Sequence, residues 1–299
     1  MRQTLIDLIK NTIIYQYDLP NAAAGILKTT FSTENDRCYS ASDTEAIAEI
    51  IYNSIVDYAL NEFDMSEKDL DRLHAGALKN KLKYNPNADQ DTKIKYGFFG
   101  EVLLYSMLVV LYNARPLIAR GYFYNPLENA ETKGYDSYQL VEDNGSVELW
   151  FGEVKFHASH SSGINSVLGN IKKALSDAYL ETNVFAIQNH RNNFNLKDSK
   201  IDIILDSWEA NPDINICEEI KKHNMKLIYP ILILYQQDTG DFDSNIKKIP
   251  DYISANHTAF PYDLTVPHQV FFMLLPLEKV KEIKENVIQW IEGKKPLML

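Results

Sequence analysis

Two carboxylates and an amine stand where a tight turn would gather them: Asp136, Glu153 and Lys155, on either side of Asn144-Gly145. Asn-Gly is the strongest short hairpin signal, because both central residues of a type I′ turn need φ > 0. With that pair as the turn, Asp143 faces Ser146, Leu140 faces Leu149, and Asp136 faces Glu153. Opposed side chains share a sheet face with Cβ atoms about 4.5–5.5 Å apart, and like charges there destabilise the sheet. The flanking run LWFGEVKFH is largely apolar, so the pair is expected to be partly desolvated. Either one carboxyl keeps its proton through a raised pKa, or a divalent cation sits between the two, since hard cations such as Mg²⁺ take carboxylate oxygens.

Lys155 lies two residues beyond Glu153 and so on the same face of a strand, opposite Gly134 in that register. Two carboxylates and an ammonium in a small area are what metal-assisted phosphodiester hydrolysis needs. A metal polarises the phosphate and lowers the pKa of a bound water, and the lysine stabilises developing charge or positions the water. Glu-x-Lys alone is not specific, for it recurs at Glu219-Ile220-Lys221 and Glu282-Ile283-Lys284. Both copies fall in helical segments, where i and i+2 point apart. The bland alternative for the hairpin copy is a solvated Asp/Glu/Lys cluster, which the apolar flanks disfavour.

Glu101 is the lone charge between Gly97 and Tyr112. A buried carboxylate needs a partner, although a first-turn Glu also gains from the helix dipole. Lys172 and Lys173, on the helix after the hairpin, could reach a phosphate or merely form a solvated face. His157 shares the parity of Glu153 and Lys155, and His160 follows.

The elements that must position these groups can be read from periodicity. The first ninety residues look helical. Ser42 to Glu45 forms a capping box, and Ile47, Ile50, Ile51, Ser54, Ile55 and Tyr58 follow at helical spacing. A second helix start is placed at Ser66, and residues 84–91 around Pro86 read as a loop. Helix returns near Tyr96 and runs through the apolar segment 98–112. Strands are expected at 116–124, 135–141 and 147–156, a helix at 163–180 capped by Ser161 or Ser162, and buried strands at 227–235 and 269–275. The chain closes with a helix from Leu277 whose apolar stripe is Ile283, Val287, Trp290 and Ile291. This order predicts an α/β fold, a mixed β-sheet flanked by helices, with a helical N-terminal region at 1–92 and the second domain at 93–299.

The chain has 299 residues and a formal net charge of −11, which counts against strong independent nucleic-acid binding. Its two cysteines, Cys38 and Cys217, belong to no metal-ligand or disulfide pattern, which suits a reducing cytoplasm. No uninterrupted apolar run reaches the roughly 18 residues of a membrane span, and Asp7 and Lys10 interrupt any signal-peptide core.

Asp136, then Glu153-Val154-Lys155 after a hairpin, with Glu101 on a preceding helix, resembles the PD-(D/E)XK nuclease superfamily. The resemblance implies a restriction-endonuclease-like core over residues 93–299. It also implies Asp136, Glu153 and Glu101 as ligands of Mg²⁺ (or Mn²⁺ in its place) together with the Val154 carbonyl, and Lys155 as a catalytic group. More narrowly, KGYDSYQL and ELWFGEVKFHAS resemble the HamA family of Hachiman anti-phage defence nucleases, whose partner is a helicase, HamB, and whose substrate is DNA. The chain departs from the superfamily pattern at Gly134-Tyr135-Asp136, where a proline usually precedes the aspartate, and shows no Gln-x-x-x-Tyr on the next helix. Three functions follow as alternatives: a DNase working beside a helicase, a nuclease of the same fold acting on RNA or branched DNA, and a non-catalytic binding subunit. Partner docking is assigned to the N-terminal region, because amphipathic helices can offer an apolar stripe to another chain.

Overall fold

A computed structural model describes residues 1–60, 69–82, 84–125, 130–131, 134–143, 145–190, 199–209, 211 and 214–299. The chain opens with helix α1 (Gln3–Thr12) and the antiparallel strands β1 (Ile13–Leu19) and β2 (Asp36–Ala41). Then come α2 (Thr44–Ala59), α3 (Leu70–Asn80), the short α4 (Gln90–Ile94) and α5 (Phe98–Leu111). Small strands β3 (Arg115–Pro116), β4 (Tyr124–Asn125) and β5 (Ala130–Glu131) precede the hairpin of β6 (Gln139–Asp143) and β7 (Ser146–Trp150). Next are β8 (Glu153–His157), α6 (His160–Ala174), α7 (Asp177–Asn189), α8 (Lys200–Glu209) and α9 (Ile216–Lys222). The long strands β9 (Met225–Gln236) and β10 (His268–Leu277) alternate with α10 (Phe242–Asn256) and α11 (Val280–Gly293).

The fold is α/β, as expected. The mixed sheet runs β1-β2-β10-β9-β7-β6-β3, with β8 also paired to β9. Both β7 and β8 run parallel to β9 at one offset, Val147 beside Met225 and Glu153 beside Ile231. They are therefore a single strand broken at Phe151-Gly152. The sheet separates two apolar layers. One face packs β8, through Val154 and Phe156, against α2, α5 and α11. The other packs Tyr135, Tyr138 and Phe151 with α6, α7 and α10. Strands β9 and β10 are buried on both sides, which is why they read as unbroken apolar runs.

Several expectations are corrected. The first ninety residues are not all helical: β1 and β2 join the main sheet, β2 pairing with β10. Asp43 rather than Ser42 caps α2, accepting from the Glu45 N–H at 3.0 Å, while the Ser42 hydroxyl donates to the Asn11 carbonyl. The expected start at Ser66 lies outside the described residues, and α3 is capped by Asp69. Residues 116–124 form a 3₁₀ turn at Arg120–Phe123 instead of a strand. The helix after the hairpin starts earlier, capped by Ser159, and breaks between Ala174 and Asp177. Residues Gln90–Leu111 are together long and apolar enough to pass for a membrane span by length and composition. From Phe98 to Leu108, however, α5 is buried in the protein at every position except Glu101, so it is a core helix.

Candidate functional site

The site grows from the break in the long strand. The hairpin register holds from Asp143 opposite Ser146 through Leu140 opposite Leu149 to Gln139 opposite Trp150; Asn144 itself lies outside the described residues. Beyond it the regular ladder stops. The Gly152 N–H donates to the Ser137 hydroxyl at 3.0 Å, and the Asp136 N–H donates to the Gly152 carbonyl at 2.9 Å. A Cβ on Gly152 would stand 3.0 Å from Ser137 Oγ and 3.1 Å from the Pro230 carbonyl oxygen, so glycine leaves room for this close approach.

Asp136 is set in place by its neighbours. Tyr135 and Tyr138 are 1% and 3% exposed. The Tyr135 hydroxyl donates to the Ala174 carbonyl at 2.8 Å, and the Tyr138 hydroxyl accepts the Tyr135 N–H at 3.0 Å while donating to Asn183 Oδ1. Between these anchors the Asp136 carboxylate accepts the Val154 N–H at 2.9 Å. Asp136 thus reaches the edge of β8 over Val154, rather than facing Glu153 through a ladder pair. Gly134 does not lie opposite Lys155 either; its neighbours are the Tyr138 hydroxyl and Asn183.

Glu153 and Lys155 share a strand face and form an ion pair, with side chains 13% and 20% exposed. Burial, then the nearby Asp136 charge, push the Glu153 carboxyl up to about 7, against the pull of Lys155. Burial alone would lower Lys155; Glu153, with help from Asp136 and Glu101, raises it instead, so the amine stays charged. The like-charge opposition expected from the hairpin is therefore present, and it falls on Glu153.

Glu101 approaches from the other face of β8. It lies in the first turn of α5 and accepts from the Tyr58 hydroxyl on α2. A Cβ on Gly100 would meet Val154 Cγ2 at 3.0 Å, so the missing side chain is what lets α5 ride close over β8. Among the described residues no three His, Cys, Asp or Glu side chains gather to hold a metal. Glu101, with the Tyr58 hydroxyl bonded to it, lines the same cavity as Asp136 and acts electrostatically on Lys155. A pair suffices for Mg²⁺, which binds through one or two carboxylates and keeps several waters.

A cavity of about 550 Å³ opens over the site, lined by Glu101, Asp136, Val154, Lys155 and His157 together with Lys95, Lys281 and Lys284. His157 therefore borders the site. His160 does not line the cavity; its ring packs edge-on to Tyr235 and Tyr252. Lys172 and Lys173 do not line this cavity: Lys172 lies beside Asp263 at 3.8 Å and Lys173 over the Tyr179 ring. A larger hollow, about 680 Å³, lies between α2, α3 and α11 and has a mainly apolar lining.

The sequence reading missed two residues. Tyr58 sits on the buried stripe of α2 and looks there like any core aromatic. Lys284 belongs to the Glu-x-Lys copy set aside as helical, but it also interrupts the buried stripe Val280, Ile283, Val287, Ile288 and Ile291 of α11. A lysine at a core position was the available signal.

A family model described as HamA matches residues 7–291 of the chain. No curated protein and no solved structure matches it.

Proposed function

The chain belongs to the HamA family, which makes it a protein related to Hachiman defence, and on that premise we propose that it is a metal-dependent DNase of the PD-(D/E)XK type. The observation that carries the reading is the Asp136–Glu153–Lys155 arrangement at the edge of β8: one desolvated carboxylate raised by a second, beside a charged lysine. The donor set fits a hard divalent cation. A strand residue sends its N–H and C=O to the same edge, so the Val154 carbonyl lies on the side where its N–H meets Asp136. Asp136, Glu153 and that carbonyl would hold Mg²⁺, or Mn²⁺ in its place. The ion supplies Lewis acidity and a bound water of lowered pKa.

The chain's own residues do the rest. Tyr135 and Tyr138 fix Asp136, whose carboxylate holds the Val154 amide and so sets the edge geometry. Lys155, kept protonated by Glu153, stabilises negative charge building on the phosphate oxygens. Glu101, oriented by Tyr58, adds negative potential near Lys155 and would complete the groups around the ion. The net charge of −11 fits a subunit that relies on a helicase partner for its grip on DNA. We assign docking of that HamB-like helicase to residues 1–92 and the metal-holding and catalytic groups to residues 93–299, with Tyr58 of the N-terminal region supporting Glu101, in the cytoplasm, where the buried free thiols Cys38 and Cys217 stay reduced.

The test is cleavage of DNA and RNA by the chain with and without the helicase, in Mg²⁺ and in EDTA. The proposal expects Mg²⁺-dependent loss of DNA. Cleavage of RNA alone would move the substrate assignment, and no cleavage of either by the complex would make the chain a binding subunit.

A further inference from the structure

Lys284 is a buried amine with too few partners. It is 7% exposed and is the charged member of the buried face of α11. Its Nζ donates to the Phe156 carbonyl at 2.9 Å and lies 4.5 Å from the Phe156 ring centroid and 5.8 Å from that of Phe99. Among the described residues no carboxylate pairs with it. An ammonium has three donors, and here one has an acceptor while aromatic faces offset part of the charge. Burying a charge without a counter-charge is costly, so retaining a lysine at a position suited to Leu or Ile calls for a compensating anion.

The anion's place is set by the cavity. Lys284 lines the same space as Asp136, Val154 and Lys155, and Phe156, whose carbonyl it holds, is the next residue along β8. Lys95 and Lys281 border that space too. The cavity is therefore lined both by carboxylates, Asp136 and Glu101, and by amines, of which Lys281 and Lys284 come from α11. Those amines are a local exception on an acidic chain and suit a polyanion whose one phosphate meets the metal while another meets an amine.

We propose that Lys284 is a phosphate-binding residue that holds the nucleic-acid strand next to the cleaved phosphodiester. The inference rests on the nuclease reading of the site and extends it to substrate placement. Burial lowers the amine to about 8, which leaves it mostly charged at neutral pH. The bond to Phe156 places the charge against β8, so the strand that carries Lys155 and the helix that carries Lys284 present their amines in fixed relation.

The experiment compares the wild-type chain with Lys284→Met and Lys284→Arg, each in complex with the helicase. Binding of a labelled DNA oligonucleotide is measured in Ca²⁺ across a salt series, and steady-state cleavage in Mg²⁺. Lys284→Met keeps the stem's packing and removes the charge. It is expected to raise KM and Kd roughly tenfold, the weight of one charge-assisted hydrogen bond. The slope of log K against log salt should shrink by about 0.7–0.9, one phosphate contact, and Lys284→Arg should restore part of both. A purely structural lysine would lower Tm but leave the salt slope unchanged, and that result overturns the proposal. Unchanged KM in Lys284→Met beside an active wild type also sinks the inference and leaves the nuclease reading intact. If the wild type binds DNA but does not cleave it, the nuclease reading fails, and the salt slope still decides the role of Lys284.

Discussion

The Val154 amide donates to the Asp136 carboxylate at 2.9 Å, and that bond replaces the ladder pair a regular hairpin would have made. It gives Asp136 two roles, fastening an irregular segment to β8 and placing a carboxylate beside Glu153. The roles can be separated. Asp136→Asn keeps an acceptor for the Val154 N–H and should fold with near-normal Tm, yet lose metal affinity and cleavage by more than the roughly 10–100-fold typical of an outer-shell change. Asp136→Ala should lose the same activity and also about 1–3 kcal/mol of stability from the orphaned amide. Equal stability of the two variants, by denaturant melts, would contradict the structural half.

Metal binding should depend on pH through Glu153. Its folded-state carboxyl is raised, from 4.5 to about 7, chiefly by burial and then by Asp136. The metal-free fold thus favours the protonated form, and the group's contribution to stability is lost as pH rises from about 4.5 through about 7. A divalent cation removes that penalty but must displace the proton. The Mg²⁺-induced rise in Tm should therefore be larger at pH 8 than at pH 6, and Mg²⁺ affinity by calorimetry should weaken as pH falls below 7. A metal shift that is flat across this range would count against Glu153 as a ligand.

The seating of α5 on β8 is tested with two glycines. Gly100→Ala places a methyl 3.0 Å from Val154 Cγ2, and overpacking of this kind costs about 1–3 kcal/mol. Gly76 lies within α3 and a Cβ there meets nothing within 4 Å. Gly76→Ala should stabilise by about 0.5–1 kcal/mol through helix propensity. Loss of cleavage should accompany the first change and not the second, and thermal melts with activity assays read both.

Tyr58 and Glu101 should act as a unit, because one donates to the other across α2 and α5. Tyr58→Phe and Glu101→Gln are each expected to reduce cleavage by about tenfold or more, in the range of supporting-residue changes. The double variant should lose little beyond either single change, the non-additivity of groups in direct contact. Fully additive losses would show that Tyr58 works independently of Glu101.

These residues also show what the sequence made legible. The hairpin pair and its register through Leu140 and Leu149 followed from Asn-Gly and strand alternation, and β9, β10 and α11 followed from apolar periodicity. What could not be read was the departure from regularity that builds the site. Gly152 turns its N–H to the Ser137 hydroxyl, and its backbone passes close to Pro230, which is remote in sequence. Asp136 is oriented by buried tyrosines whose partners, Ala174 and Asn183, lie on later helices. The same holds for β1 and β2: seen alone they were short and mixed, and they are strands because β10 offers β2 an edge. Tertiary pairing overrode the local pattern.

The central claim is that Asp136, Glu153 and Lys155 form one metal-dependent phosphodiesterase centre. The most direct measurement is cleavage of plasmid DNA in Mg²⁺ by the complex with its helicase, using wild type, Glu153→Ala and Lys155→Ala matched for Tm and for partner binding. Both variants should lose activity by at least about 100-fold, the scale of removing a principal charge-stabilising group, with the wild type silent in EDTA. Cleavage that survives in both variants would place the chemistry elsewhere in the complex.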